Sequence, residues 1–286
     1  MQYALNLPNG GNWSDPRTLA ELAHLAEESG WDGVFLEDYI VWQSQQNVPT
    51  YDPWIALAAM AMQTKRVRLG TNVTPLARRR PWKVAREAVT LDHLSNGRFI
   101  LGIGLGDTGE SVGSDISFSN FREATDAKQR AQMLDEALDV IVGLWSGELF
   151  HYDGNYFHIK EVRFVPRPIQ MPRIPIWIGG GWPLKGPTRR AARWDGSRLY
   201  KHQADSMTPE DIHALQAFVQ QQRGFLEGYD IVVSTNRRKM DGEDEQAYIR
   251  SLAEAGATWS AEYLSPNTGD LDVVRSCIAR GPLRIN

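Results

Sequence analysis

Two hydrophobic periods alternate along this chain. Short apolar, β-rich runs begin near residues 3, 34, 67, 98, 176, 197, 231 and 259, among them Tyr3-Ala4-Leu5-Asn6-Leu7, Val34-Phe35-Leu36 and Ile176-Trp177-Ile178. Their length and composition predict strands. Behind each lies a helical candidate. Leu19, Leu22, Ala23 and Ala26 form one face, as do Val84, Ala85, Ala88, Val89 and Leu91, and again Met133, Leu134, Ala137, Leu138, Ile141 and Trp145. Asp15-Pro16, Asp52-Pro53 and Thr208-Pro209 each pair an N-cap with a first-turn proline. Eight strands, each backed by a helix in a chain of this size, predict an α/β protein: a single (β/α)8 TIM barrel occupying 1–286 as one domain. Three stretches interrupt the alternation. They are a polar loop over 107–126, a hairpin signal from Leu149 to Ile159 around Asp153-Gly154, and four prolines between Val165 and Pro175. We expect insertion segments at the C-terminal face of the strands.

The central stretch is Val67 to Gly109, read as strand, basic loop, helix, turn, strand and glycine loop, hence a right-handed βαβ unit. Parallel strands bind ligands at their carboxyl ends. Here those ends are Thr71-Asn72-Val73-Thr74 and Gly104-Leu105-Gly106-Asp107, where bare glycine lets backbone approach a flat ligand. Gly104-x-Gly106-x-x-Gly109 also matches the dinucleotide fingerprint in form. That fingerprint needs a helix opening on the glycines, whereas Glu110 to Phe121 is polar with no helical stripe. A nicotinamide site is therefore a minor alternative, and a purely structural glycine turn another.

Composition narrows the field. With 286 residues, 42% apolar content and a net charge of -4, nucleic acid is not the expected partner. The one cysteine, Cys277, lies in an apolar run and fits a buried thiol in a reducing compartment. No run approaches the roughly 20 apolar residues of a membrane span, and no signal peptide is read, so a cytoplasmic location is expected. No His, Cys or carboxylate group has metal-ligand spacing, and no metal is expected. His24 and His93 are read as packing or surface residues. The ten tryptophans point to aromatic loops around a ligand or, more plainly, to a large core.

The blocks AEESGWDGVFLEDY, LGTNVTPLARRRPWKVAREAVTLDHLSNGRFILGIGLG, IPIWIGGG with RRAARWDG, and GATWSAEYL together cover nearly the whole chain. On them the chain resembles the luciferase-like monooxygenase superfamily, flavin-dependent barrels that include bacterial luciferase, alkane monooxygenases and deazaflavin-dependent oxidoreductases. The resemblance implies a non-prolyl cis peptide at Asn72-Val73 beneath the flavin ring. It also implies a phosphate site on Gly179, Gly180 and Gly181 and the helix start beyond them, with Lys185, Arg189 and Arg190 nearby. Asp38, Thr71, Gly104, Gly106 and Asp107 join these as expected cofactor contacts. Several deazaflavin-using relatives carry an acidic residue and then a catalytic histidine after the second strand; this chain has Asp38-Tyr39. Tyr39 is a candidate hydrogen-bond donor and Glu110 a candidate general acid. Arg80, before Pro81, matches a family position and is expected to pair carboxylates across the barrel top, with Arg78 and Arg79 solvated. Trp13, Trp42 and Trp182 are candidate substrate-pocket walls.

The implied activity is a flavin-dependent oxidoreductase acting on a small-molecule substrate. The preferred form is a monooxygenase using oxygen and reduced FMN from a separate flavin reductase. The alternatives are hydride transfer with a deazaflavin, coenzyme F420, and a non-catalytic flavin-binding relative. The resemblance further implies a homodimer joined through helices of the N-terminal half.

Overall fold

The computed structural model describes residues 1–109, 114–201, 207–235 and 242–285. The strands are β1 (Gln2–Leu7), β2 (Gly33–Leu36), β3 (Arg68–Thr71), β4 (Thr74–Pro75), β5 (Phe99–Gly104), β6 (Leu149–Asp153), β7 (His158–Arg163), β8 (Ile176–Trp182), β9 (Gly196–Lys201), β10 (Asp230–Ser234) and β11 (Trp259–Tyr263). From β3 the sheet runs through β2, β1, β11, β10, β9 and β8 to β5, and β3 pairs again with β5, so the ring closes. Every pairing around it is parallel. The short β4 continues β3 beyond Asn72-Val73 and stays on β5. This is the (β/α)8 barrel that the alternation predicts.

Its helices are α1 (Pro16–Glu28), α2 (Pro53–Gln63), α3 (Pro81–Leu94), the single turn α4 (Ser117–Asn120), α5 (Ala127–Trp145), α6 (Lys185–Arg193), α7 (Pro209–Arg223), α8 (Gly242–Glu254) and α9 (Leu271–Ala279). Side chains fix their starts. Asp15 accepts from the amides of Arg17 and Thr18, Asp52 from Trp54 and Ile55, Asp270 from Asp272 and Val273. Thr208 and Asp211 form a reciprocal capping box. Each such cap contributes about 1 kcal/mol and sets where a strand-to-helix loop ends.

Alternation along the strands sends Ala4, Phe35, Ile100, Trp177, Val232, Trp259 and Ala261 into the barrel. Phe35 stacks on Trp177 at 5.1 Å between centroids, and Trp259 closes edge-on at 5.3 Å. Asp230 accepts from both indoles, at 3.1 and 3.0 Å. The barrel is thus plugged from below by aromatics and open only above. Trp31, Trp54, Trp145 and Trp194 are buried as well, so most of the tryptophans serve packing. Neighbouring staves also approach closely. A Cβ on Gly102 would stand 1.9 Å from the Thr71 carbonyl oxygen, and one on Gly70 2.3 Å from that of Ile100.

The two insertions sit differently. Residues 105–109 and 114–126 lie at the C-terminal face, where Asp107, Asp115 and Phe118 border the cavity. The β6–β7 hairpin and the prolines that follow leave α5 at the opposite end, where Gln170 bonds to Asp92 and to the Phe99 carbonyl at the entry to β5. The hairpin then climbs the outer face, with its turn on Glu136 of α5 and Phe157 edge-on to Trp82 of α3. No helix among the described residues is long and apolar enough to cross a membrane.

His24, Glu27 and Glu28 bring ligand atoms within 4.8 Å of one another on α1, a grouping not read from the sequence. Glu27 is already committed. It is 4% exposed, and its carboxylate accepts the amides of Lys65, Arg66 and Val67, tying α1 to the start of β3. Burial works against that charge, but the three amides outweigh it and hold the carboxyl below its ordinary range. Glu27→Ala should therefore lower stability by about 3 kcal/mol in urea unfolding, since three amides lose their acceptor. Because the folded pKa is depressed, wild-type stability from this group is full above pH about 4.5 and fades as pH falls through the folded value. An acid limb unchanged in Glu27→Ala would contradict this account.

Candidate active site

At the mouth of the barrel lies a cavity of about 290 Å3. Its walls come from the ends of β2 (Glu37, Asp38, Tyr39), β3 (Asn72, Val73), β5 (Gly104 to Asp107), β8 (Gly179 to Gly181) and β9 (Tyr200), with Asp115 and Phe118 folding over the top. A second hollow of about 220 Å3 shares Asn72, Val73, Gly179, Gly180 and Tyr200 and adds Arg198 and Ser234. The strand ends chosen from the sequence do converge here.

The peptide Asn72-Val73 is cis. Val73 sits as a ridge between two glycines: a Cβ on Gly104 would meet its Cγ2 at 2.8 Å, and one on Gly179 its Cγ1 at 2.7 Å. Asn72 is held by its amide on the Leu36 carbonyl at 2.7 Å and by Arg198, whose Nε donates to the Asn72 side-chain oxygen. The glycine loop after β5 is pinned from α5, where Arg130 donates to the carbonyls of Leu105 and Gly106 at 2.7 and 3.0 Å. Among the described residues no helix opens on those glycines, and the sheet is a closed ring, so the dinucleotide fingerprint fails here. Beyond Gly181, the first turn of α6 borders the cavity through Leu184 and Pro187 with no side-chain cap, leaving its leading amides for an anion.

Asp38 is 6% exposed and accepts four hydrogen bonds, three of them on Oδ2. Arg79 donates to both its oxygens at 2.6 and 2.9 Å, Thr74 at 2.7 Å and the Trp54 indole at 3.2 Å. Its role is to lock the β2 end to the β3 end. Arg78 is equally enclosed, paired with Asp115 and Glu123 at 2.8 Å and lying 4.0 Å over the Phe118 ring. Arg80, expected to make the cross-barrel pairs, is exposed beside Trp82. The reason is local: Arg80 is the N-cap residue of α3 and points out, while Arg78 and Arg79 lie in the turn that folds inward.

Other expectations are also redirected. Thr71 is 1% exposed and donates to the Gly102 carbonyl at 2.6 Å, clamping two staves rather than lining the cavity. Trp13 is buried against Pro266 and Leu271 in a separate hollow. Trp182 turns away from the mouth to donate to Asp211 at 2.9 Å. Trp42 is 2% exposed and reaches the site only through its indole N–H. Glu110 lies outside the described residues. Arg190 borders the cavity but is paired with Asp135 at 2.6 Å, while Lys185 and Arg189 are exposed.

Two residues not singled out in the sequence prove central. Glu37, one layer above Phe35, accepts from the Trp42 indole at 2.8 Å and from the Tyr263 hydroxyl at 3.3 Å, both on Oε2. Burial pushes its carboxyl up to about 7, against those two hydrogen bonds and the charge of Arg198. Burial likewise lowers the Arg198 guanidinium to about 10, opposed by Glu37. Burial and then Glu37, Asp115 and Asp107 push the Tyr39 phenol above its ordinary range, so it keeps its proton at neutral pH. Strand parity was the available signal, because residues two beyond an inward Phe35 and two beyond an inward Gly196 must also point inward.

The residues fit a flat, polar-edged ring with an anionic tail. Val73 offers an apolar ridge on bare glycine, and α6 offers uncapped amides.

Comparison with known proteins agrees. The model of the luciferase-like monooxygenase family matches residues 3–237. An F420-dependent glucose-6-phosphate dehydrogenase of Microbacterium testaceum is 36% identical over 181 residues, covering 62% of this chain and 50% of that protein. An F420-dependent hydroxymycolic acid dehydrogenase of Mycobacterium tuberculosis is 32% identical over 163 residues, 56% of this chain and 43% of that one. The chain thus spans about half the length of the curated relatives it matches. Among solved structures, coenzyme F420 dependent tetrahydromethanopterin reductase of Methanopyrus kandleri superposes with a TM-score of 0.74 at 17% identity, over 98% of each chain. A monooxygenase of Streptomyces bottropensis gives 0.75 at 19%, over 97% of this chain and 96% of that one; at such identity both speak to the fold alone. A closed parallel barrel, a cis peptide under an open mouth and a family match over most of the sequence lead to one conclusion: this chain belongs to the luciferase-like monooxygenase family.

Proposed function

We propose that this chain is a deazaflavin-dependent oxidoreductase, using coenzyme F420 to move hydride to or from a small organic substrate. The observation that carries the reading is that relatives above 30% identity are named as F420-dependent dehydrogenases. It displaces the FMN monooxygenase preferred on sequence grounds, for which the support is structural likeness below 25% identity. An idle, ligand-only relative would be expected to have its mouth blocked by large side chains. Here no tryptophan lines the cavity over Val73, and Arg78 and Arg79 are held in ion pairs outside its walls.

In this reading Val73, Gly104 and Gly179 carry the ring, and the Gly179–Gly181 run with the first turn of α6 holds the anionic tail. When bound, the deazaflavin accepts or supplies the hydride. The protein orients the substrate against the ring, and the loop bearing Asp115 and Phe118 keeps water away.

The test is a parallel titration of purified protein with coenzyme F420 and with FMN, followed by ligand fluorescence. We expect F420 to bind at least about tenfold more tightly, a difference of roughly 1.4 kcal/mol. Tighter FMN binding, with oxygen consumed on reduction, would return the chain to the monooxygenases.

A further inference from the structure

Hydride transfer to or from a carbon bearing oxygen needs a partner that handles the oxygen's proton, and the position used for histidine by several relatives holds Tyr39 here. That phenol keeps its proton and makes a poor base. We propose that Glu37 is the catalytic acid–base residue, exchanging a proton through Oε1 with the hydroxyl or carbonyl oxygen of an alcohol–carbonyl substrate pair.

The geometry is specific. Glu37 lines the main cavity together with Asn72, Val73 and Gly104, on the barrel axis side of β2. Both of its hydrogen bonds, from Trp42 and Tyr263, fall on Oε2. Oε1 has no hydrogen-bond partner among the described residues and is not sealed away, so it faces the cavity. Asp38, the neighbouring carboxylate, is already ion-paired with Arg79 through both oxygens, and its Oδ2 also accepts from Thr74 and Trp54.

The charged and titratable groups around Glu37 are Arg198 from β9, Tyr263 from β11 and Tyr39 two residues along the chain, with Asp107, Asp115 and Tyr200 acting on Tyr39. Among them Arg198 favours the carboxylate, and burial favours the acid more strongly, so the group changes protonation near neutrality. In the oxidation direction the alcohol loses its O–H proton to Glu37 Oε1 and the C–H pair leaves as hydride to the deazaflavin. One C=O bond results, and the proton then passes to solvent. Reduction of a carbonyl runs the same proton back.

This inference rests on the hydride-transfer reading. The first measurement does not need turnover. Infrared spectra of the protein without cofactor between pH 5.5 and 8.5 should contain a protonated-carboxyl C=O band that disappears with a midpoint near 7 and is missing in Glu37→Gln. Absence of that difference overturns the proposal. The second uses F420-loaded protein with glucose 6-phosphate, 2-propanol and cyclohexanol as probe alcohols. Wild-type kcat should rise with pH through the same midpoint, because the base form does the work. Glu37→Gln should lose at least about 100-fold in kcat, with KM within about threefold and the pH dependence flattened. Trp42→Phe removes a hydrogen bond that favours the carboxylate, so its limb should move to higher pH. Wild-type rates and pH profile in Glu37→Gln would overturn the role of Glu37 and leave hydride transfer standing. F420 left unreduced by every probe in the wild type would overturn the hydride-transfer reading and the proposal with it.

Discussion

Replacing Asp38 by alanine is expected to lower stability by about 3–5 kcal/mol, the range for removing one partner of a buried ion pair. The carboxylate is 3% exposed at its side chain and Arg79 20%. Alanine would leave the Arg79 cation in the barrel mouth without its anion, and it would strip Thr74 and Trp54 of their acceptor as well. Asp38→Asn keeps the shape and still leaves the cation unpaired, so it should be nearly as damaging. Urea unfolding followed by tryptophan fluorescence measures both. A loss under about 1 kcal/mol would place this pair with exposed salt bridges and remove its claim to fasten β2 to β3.

Gly179→Ala is expected to weaken deazaflavin binding at least about tenfold while costing roughly 1–3 kcal/mol in stability, as overpacking at one contact does. Its Cβ would sit 2.7 Å from Val73 Cγ1, and Val73 has no retreat, since its other methyl already lies against Gly104. The ridge must shift, and with it the surface on which the ring is proposed to rest. Lys160→Ala, at an exposed position of β7, is the control. It lines neither hollow at the barrel mouth, so affinity should not change. Equal affinity in both variants would mean that the ring does not rest on Val73.

The architecture was largely legible in the chain. Each strand of the ring falls within a residue or two of its apolar run, and Asp-Pro or Thr-Pro pairs mark three helix starts. The resemblance placed a cis peptide at Asn72-Val73, where the structure has one. The mouth was legible in outline, through strand ends 71–74, 104–107 and 179–181. Its working parts are less legible. Strand parity turns Glu37 inward toward the cavity and leaves Asp38 to the ion pair, although the resemblance points to Asp38. Arg78 and Arg79 are enclosed and Arg80 is exposed, the reverse of the sequence expectation, because nothing local says which of three consecutive cations a turn will bury. Trp42, a candidate wall from the sequence, is a hydrogen-bond donor behind Glu37.

By itself the sequence determined the elements, their order and the barrel. Those follow from the spacing of apolar residues two or three to four apart, and from capping residues adjacent to the helices they start. Ring closure decided the chemistry. It brought Arg198 onto Asn72, 126 positions away, and Tyr263 onto Glu37, 226 positions away, and it shut a carboxyl into a space where burial outweighs the charge beside it. A periodic pattern cannot carry such pairings, because they depend on which staves face one another across the barrel, and that exists only once the chain has closed.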